Sequence, residues 1–506
     1  MEIVDYVTGL DVKTVAVASL AFLLAMVYLR RRKGNLPPGP MQVPFLGSIF
    51  ALNKDVRLFK VCEELAKTYG EMTTISLGLV LDKLVILNSA DVVHEALVEK
   101  KEIMAGRDTT IWSFGYISEG FKDIAVGDFG PTWKLQRKLA LKAIRTYTMG
   151  TKLEQLLKSS YSDVAALLEK EKEPFYLGEY IHLMLYNIIC RMAFGKSYKI
   201  DDPEFLQWRK LLTLLVEDFF QSFLPPDLLP LLEHAPIKRV ASFKKCVKEL
   251  HGIIYKKLKE HKATFNPDAT PRDLMDQLLL AQKESEEEEG EDTKNLLTDT
   301  HVVQTVLDVF FAGTETSSET LKWTLMYTAA YPDVQEKMHN EILDVLGDSD
   351  DLLKSKSKLT YCDAVLHEVM RLRPVVPMSL FHKVLQDTKL REYDLPKGTI
   401  VTPNIWGIHH DPANWDSPEE FRPERFLDEH GNIHVDSKIW LPFSSGKRKC
   451  LGEALARSDI MMIMALFFRD FKVSFPPNVT GDFEPADKII DCHCKRQKLV
   501  IEKRKG

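Results

Sequence analysis

The chain has 506 residues, 45% of them hydrophobic and 28% charged, with a formal net charge of −6. That length and apolar content allow a large buried core, and the negative balance argues against a general nucleic-acid binder. Seven cysteines (Cys62, Cys190, Cys246, Cys362, Cys450, Cys492 and Cys494) are scattered instead of forming a disulfide framework, which points to a reducing compartment.

Residues 14–29, TVAVASLAFLLAMVYL, carry no charge and run directly into Arg30, Arg31, Arg32 and Lys33. Sixteen residues is short for a span of ~17–25, but Val12 and the snorkelling stem of Lys13 extend it. A cleaved signal peptide places its positive charges before the apolar core, whereas here Glu2, Asp5 and Asp11 precede it. The expectation is a transmembrane signal-anchor with a basic stop over 1–35, leaving the remainder in the cytosol. The Pro-rich stretch LPPGPMQVPFLG (36–47) then reads as a stiff spacer.

From 36 to 506 no linker or internal repeat interrupts the pattern, so one domain is expected, mainly α with small β-sheets (α+β). Strand-like pieces fall at 73–88 (TTISLGLVLDKLVILN) and 398–406 (GTIVTPNIW). WKLQR places Trp133 and Arg137 one helical turn apart. Three segments, 109–121, 214–232 and the stretch after Arg373, are rich in aromatic or aliphatic side chains. The acidic run KESEEEEGED (283–292) reads as a solvated, mobile surface loop.

The next helix, around DVFFAGTETSSETLKW (308–323), carries apolar residues at both ends and Gly313, Thr314, Glu315, Thr316, Ser317 and Ser318 at its centre. Such a centre is locally costly. Glycine loses ~1 kcal/mol against alanine, hydroxyls compete for backbone carbonyls, and a carboxylate needs a partner. HEVMR sets Glu368 and Arg371 at i,i+3, and RPERF follows with Glu424 and Arg425. In LPFSSGKRKCLGEALARSDIMMIMALFF (441–468), Cys450 lies among Gly446, Lys447, Arg448, Lys449 and Gly452, just ahead of an apolar helix. Cations, a helix N-terminus and close backbone N–H groups all favour a thiolate, although an ordinary half-buried cysteine in a basic turn fits the composition equally. DCHC (491–494) offers half of a metal site and is better read as part of a strand.

Phe443, Gly446, Arg448, Cys450 and Gly452 match F-x-x-G-x-R-x-C-x-G, and with this motif the chain resembles the cytochrome P450 family over nearly its whole length. The nearest likeness is to the microsomal animal group with xenobiotic-metabolising and steroid 17α-hydroxylase-like members, through FFAGTETSS, KWTL and FGKSYKIDDPEF. The resemblance implies the P450 fold, haem b (iron protoporphyrin IX) and Cys450 as axial iron ligand. It implies propionate contacts from Trp133, Arg137, Arg448 and His382, although many relatives have Pro-His where this chain has Phe381-His382. It further implies a buried Glu368–Arg371–Arg425 cluster locking the cysteine loop, and by family position it makes 109–121, 214–232 and the stretch after Arg373 candidate walls of an apolar substrate pocket. Ala312 and Gly313 would let the helix run close over the haem face. A Thr hydroxyl turned from its own carbonyl would widen the helix there, and Glu315 and Thr316 would be the proton-delivering acid–alcohol pair.

The implied activity is an oxidoreductase: a monooxygenase of the endoplasmic reticulum membrane acting on a lipophilic small molecule, steroid-like or xenobiotic. Electrons would come from NADPH through cytochrome P450 reductase, with cytochrome b5 as a further candidate partner, since no dinucleotide fingerprint follows a strand here. Lys134, Lys138, Lys142, Arg145, Lys447 and Lys449 would form the docking face, or simply a solvated one. Two rivals are a reductase-independent haem-thiolate isomerase or dehydratase acting on peroxides, and a non-catalytic haem protein that binds a small ligand.

Overall fold

The computed structural model describes Val17 and residues 35–504, apart from 44–45, 53–54, 79–80, 82, 149–150, 220–222, 288–296 and 348–350. The expected anchor therefore lies outside the described residues except for Val17. Among the described residues no helix is long and apolar enough to cross a membrane.

Helices dominate. In chain order the principal ones are α1 (Leu58–Tyr69), α2 (Trp112–Ile117), α3 (Pro131–Thr148), α4 (Thr151–Leu168), α5 (Gly178–Phe194), α6 (Pro203–Thr213), α7 (Lys238–Thr264) and α8 (Leu274–Glu287). They continue with α9 (Asp299–Ala330), α10 (Pro332–Leu346), α11 (Thr360–Leu372), α12 (Ile405–His410) and α13 (Glu453–Asp470). The strand-like piece at 73–88 is a hairpin of β1 (Met72–Ile75) and β2 (Leu84–Leu87), and 398–406 holds a strand that runs into α12. With β3 (His382–Lys383), β4 (Thr388–Leu390), β5 (Tyr393–Leu395) and β6 (Ile400–Pro403), the main sheet has the order β1-β2-β6-β3. Its β2–β6 pair is parallel and the other two pairs are antiparallel. Two small antiparallel sheets, β4–β5 and β7 (Phe471–Ser474) with β8 (Val500–Lys503), complete the β content.

Helix α9 spans 32 residues and is the axis of the helical core. The His301 ring accepts from the Thr298 backbone N–H at 3.1 Å and lies 2.9 Å from its hydroxyl, closing the first turn. Pro332 begins the next helix where α9 can no longer continue. Val303, Val306, Phe310 and Trp323 are fully buried, and Phe310 stacks on Trp208 and meets Tyr186 of α5 edge-on. The polar centre is helical throughout, and its threonine hydroxyls bond carbonyls four residues back: Thr314 on Phe310 (2.7 Å), Thr316 on Ala312 (2.6 Å) and, beyond it, Thr320 on Thr316 (2.9 Å). The expected widening, with a hydroxyl turned away from its own carbonyl, is not present.

Two other expectations are corrected. Residues 283–287 of the acidic run finish α8 rather than forming a loop, while 288–292 lie outside the described residues. DCHC belongs to no strand. It crosses α9 in an irregular path, with the Cys492 carbonyl accepting from Trp323 Nε1 (3.0 Å) and the Cys494 N–H donating to Glu319 (2.9 Å). The described cysteines are all free thiols.

Helix α11 carries the cluster that fixes the cysteine loop. Arg371 grips Glu368 with two N–H groups at 2.7 and 2.9 Å, and Arg425 adds a third at 3.0 Å. Both Glu368 and Arg371 side chains are fully buried. Arg371 also donates to the His409 carbonyl (2.7 Å), and Arg425 to those of Asp416, Ser417 and Glu420. Removing one partner of such a set leaves buried charge without compensation. Glu368→Ala is expected to lower unfolding free energy by about 3–5 kcal/mol, measured as a lower denaturant midpoint with unchanged slope.

Candidate active site

The cysteine loop leaves the sheet core at Leu441, tightens into a 3-10 turn over Gly446–Arg448, and delivers Cys450 to the N-terminus of α13. The Cys450 N–H donates to the Phe443 carbonyl at 3.0 Å, closing the loop on itself. Gly446 has φ +75°, and a Cβ there would lie 1.9 Å from the Leu97 carbonyl oxygen, so no other residue fits. Gly452 has φ −91° and caps α13, and a Cβ there would make only ordinary contact with Cys450 Sγ at 4.0 Å.

Cys450 is an exposed thiol. Burial by surrounding protein is nonetheless the main influence on it and pushes it up. The Gly452 and Glu453 N–H groups and Arg137 pull it down, and the Glu453 carboxylate adds to the rise. An accessible side chain densely surrounded by protein is the wall of a recess. The three cations beside it in sequence do not gather on the sulfur, contrary to expectation. Lys447 pairs with Glu102 (2.8 Å), Lys449 pairs with Glu453 (2.7 Å), and Arg448 turns away.

Arg448 enters a buried cluster. It donates to the carbonyls of Ala105 (2.8 Å), Ile124 (3.3 Å) and Gly127 (2.8 Å), with its guanidinium 4.0 Å from the Trp133 ring centre. Trp133 Nε1 donates to Ile124 O at 2.9 Å, so the indole proton expected to meet a ligand is already engaged. Arg137 lies 5.5 Å from the same ring and donates to the Lys449 carbonyl. Arg107, which the sequence reading did not single out, donates to the carbonyls of Ala125 (2.9 Å), Leu380 (3.1 Å) and Phe381 (2.8 Å).

Burial pushes Arg448 down to about 8, with repulsion from Arg107 next, and burial pushes Arg107 down to about 10. A guanidinium does not lose its proton in a protein, so these shifts register the cost of burying two positive charges close together. His382 is buried in the same field. Its Nδ1 donates to the Met104 carbonyl (2.8 Å), its Nε2 has no partner among the described residues, and burial followed by Arg107 holds its pKa far below the usual value.

Across α9, Ala312 is the one exposed residue between positions 301 and 329. Gly313 does not share that role. A Cβ there would meet Ile189 Cδ1 of α5 at 3.1 Å, so its smallness serves helix packing. Glu315 likewise faces α5, where His182 Nε2 lies 2.9 Å from its Oε1. Asp308, one further turn back, accepts the Ile124 N–H at 2.6 Å and ties the 123–127 loop, with its Arg448 and Trp133 contacts, to α9. Two of the candidate substrate segments also meet: Ser113 N–H donates to Asp227 and Trp112 Nε1 to Glu233, each at 2.7 Å.

A sequence model of the cytochrome P450 family matches residues 37–496. The chain is 33% identical to the steroid 17-alpha-hydroxylase/17,20 lyase of Squalus acanthias over 90% of its length and 88% of the relative's. It is 34% identical to that of Ictalurus punctatus over 92% of each, and 30% identical to human cytochrome P450 2U1 over 92% and 90%. A zebrafish cytochrome P450 solved with abiraterone superposes with a TM-score of 0.76 at 29% identity, covering 89% of this chain and 100% of the other. The chain belongs to the cytochrome P450 family.

Haem follows from that membership, and the residues of this P450 fit it. An accessible thiol sits at a helix N-terminus, and the nearby arginines and the unpartnered His382 Nε2 make a pocket that lacks the negative charge two carboxylates would bring. Arg107 and Asp308 escaped sequence reading because neither has a periodic or motif partner. Asp308 left one signal, a lone acid within the apolar run VLDVFF.

The glycine requirement of the loop is directly testable. A non-glycine residue at positive φ costs about 1–2 kcal/mol before any overlap, so Gly446→Ala is expected to lose more than this and to release haem. Thermal unfolding and the haem-to-protein absorbance ratio read both effects.

Proposed function

We propose that this P450 monooxygenase is membrane-anchored, acts on a steroid-like lipophilic molecule and draws electrons from NADPH through a flavoprotein reductase. The observation that carries the reading is the accessible Cys450 thiol beside an anion-deficient arginine cluster. Cys450 would ligate the haem iron, while Arg107, Arg137, Arg448 and His382 Nε2 would hold the propionates, with Trp133 packed beneath Arg448. Phe443, Gly446 and Gly452 shape the loop, and Ala312 leaves room on the opposite wall. Glu368, Arg371 and Arg425 hold the loop in place. Bound haem supplies oxygen activation, and thiolate ligation favours O–O cleavage.

The chain's own task is proton supply and substrate placement. Glu315 carries the proton inward and the Thr316 hydroxyl receives it through water, exchanging its Ala312 carbonyl for a water partner. Relatives named as steroid 17-alpha-hydroxylases, and a zebrafish P450 solved with progesterone (30% identity, TM-score 0.75), support a steroid-like substrate. For electron delivery, a cleft of about 810 Å³ on the α3 side is lined by Lys134, Lys138, Lys142 and Arg145, with Glu284 as its one acidic lining residue among the described residues, a mainly basic surface suited to an acidic donor. Cytochrome b5 would use the same charge pattern. Membrane attachment to the endoplasmic reticulum rests on the 14–29 segment, and the side chains of Leu229 (53% exposed) and Leu231 (85% exposed) suit contact with a lipid surface.

Purified holoprotein, reduced under carbon monoxide and then supplied with reductase and NADPH, tests the reading. A thiolate-type Soret band, NADPH-dependent product and a high-spin spectral shift strongest with steroids in a steroid, fatty-acid and xenobiotic panel are expected. Thr316→Ala should raise the peroxide-to-product ratio by roughly 10- to 100-fold, since it removes a proton-positioning group. Unchanged coupling would remove Thr316 from the path.

A further inference from the structure

Glu315 and Glu319 lie one turn apart on α9 and live in opposite settings. Glu319 is saturated: Lys322 Nζ donates to it at 2.7 Å, the Cys494 N–H at 2.9 Å, and the His493 ring lies 3.8 Å away with Asp491 on its other side at 3.8 Å. Its side chain is 4% exposed. Among the described residues Glu315 has one hydrogen-bond partner, and that partner can itself carry a proton. His182 comes from the apolar face of α5, flanked by buried Ile181, Leu183 and Met184, and reaches Glu315 Oε1 at 2.9 Å. Its Nδ1 stands 3.5 Å from Ser318 Oγ. The His182 and Glu315 side chains are 21% and 14% exposed, so water reaches both. The other charged group of α5 nearby, Glu179, is committed to Arg209 (2.8 Å) and Arg496 (3.5 Å).

We propose that His182 is the outer carrier of the proton path, taking protons from solvent and handing them to Glu315. The inference rests on Glu315 feeding Thr316, as proposed above. The imidazolium gives its Nε2 proton to Glu315 Oε1, leaving a neutral ring and a neutral carboxyl. Glu315 releases that proton inward and returns to carboxylate, and solvent restores the imidazolium. One proton crosses per cycle and no other charge changes. The electrostatics agree with the geometry. Burial alone would push the Glu315 carboxyl up, but the charge and hydrogen bond of His182, followed by the charge of Lys322, hold it below the usual value. Without His182 the charge of Lys322 remains to oppose burial, and the balance moves toward the neutral carboxyl. His182 is thus a positioning and relay residue acting through Glu315.

The test uses full-length holoprotein with reductase. His182→Gln keeps a hydrogen-bond donor but cannot carry a proton. It is expected to raise the peroxide-to-product ratio roughly 5- to 10-fold. A second readout needs no turnover. Infrared spectra of the resting protein near neutral pH should show a protonated carboxyl band in His182→Gln, absent from the parent and from the His182→Gln/Glu315→Gln double variant. Should His182→Gln fail to fold, His182→Lys retains the positive charge and is expected to fold without the band yet raise the peroxide-to-product ratio, because an amine holds its proton throughout the neutral range. Parent-like coupling in either folded variant would overturn the proposal, as would His182→Gln lacking the new band. A parent protein with no NADPH-dependent product would instead sink the monooxygenase reading, and the infrared comparison would still decide whether His182 sets the charge of Glu315.

Discussion

Everything at the cysteine loop depends on one buried carboxylate. Glu368 has no access to water, and its charge is tolerated because two arginines and the Arg422 N–H (2.9 Å) surround it. A set like this contributes little net stability against a well-packed apolar alternative, yet it tolerates few geometries. The strain of misplacing it travels along a definite route. His409 donates from Nδ1 to the Arg371 carbonyl (3.0 Å) and accepts the Leu441 N–H on Nε2 (2.8 Å). Burial, with the Arg371 charge next, pushes His409 down to about 3, so the ring stays neutral and one tautomer satisfies both bonds. Leu441 begins the loop that ends at Cys450. The α11 cluster and the Cys450 loop are therefore joined by three side chains and a short run of backbone.

The haem end obeys the opposite rule. Around Glu368 every charge is matched, whereas Arg107 and Arg448 are buried on backbone carbonyls with no ion pair among the described residues. Carbonyl dipoles orient a guanidinium without cancelling its charge. Asp128 and Asp123 supply opposing charge to both arginines, but burial pushes Asp123 up to about 6, which weakens it as a counter-charge. Two arginines held this way are suited to an anionic partner.

Sequence reading located the chemistry better than the contacts. Cys450 and the Glu368–Arg371 pair were legible because their spacing in the chain is their spacing in space, within a loop or along a helix, whereas Arg425, 57 residues from Glu368, was legible only through the family resemblance. Trp133 and Arg137 were legible as a pair, but the indole proton goes to the Ile124 carbonyl, a partner nine residues upstream that no periodicity marks. Gly313 was read as clearance over a ligand and is clearance for Ile189. Lys447 and Lys449 were read as thiolate-stabilising and are neutralised by Glu102 and Glu453. DCHC was read as strand and instead runs irregularly across α9, with two backbone groups bonded to Trp323 and Glu319 of that helix and two more to the backbone of Val375 and Ala486.

The sequence by itself determined the ligand loop, the mainly helical class and the polar centre of α9, since each is written in residues close along the chain. Tertiary structure alone decided which side chains share a charge field: Arg107 with Arg448 and His382, Asp308 with Ile124, His182 with Glu315. These partners lie on elements far apart in sequence, and their affinity for one another arises from burial, which exists only once the helices have packed.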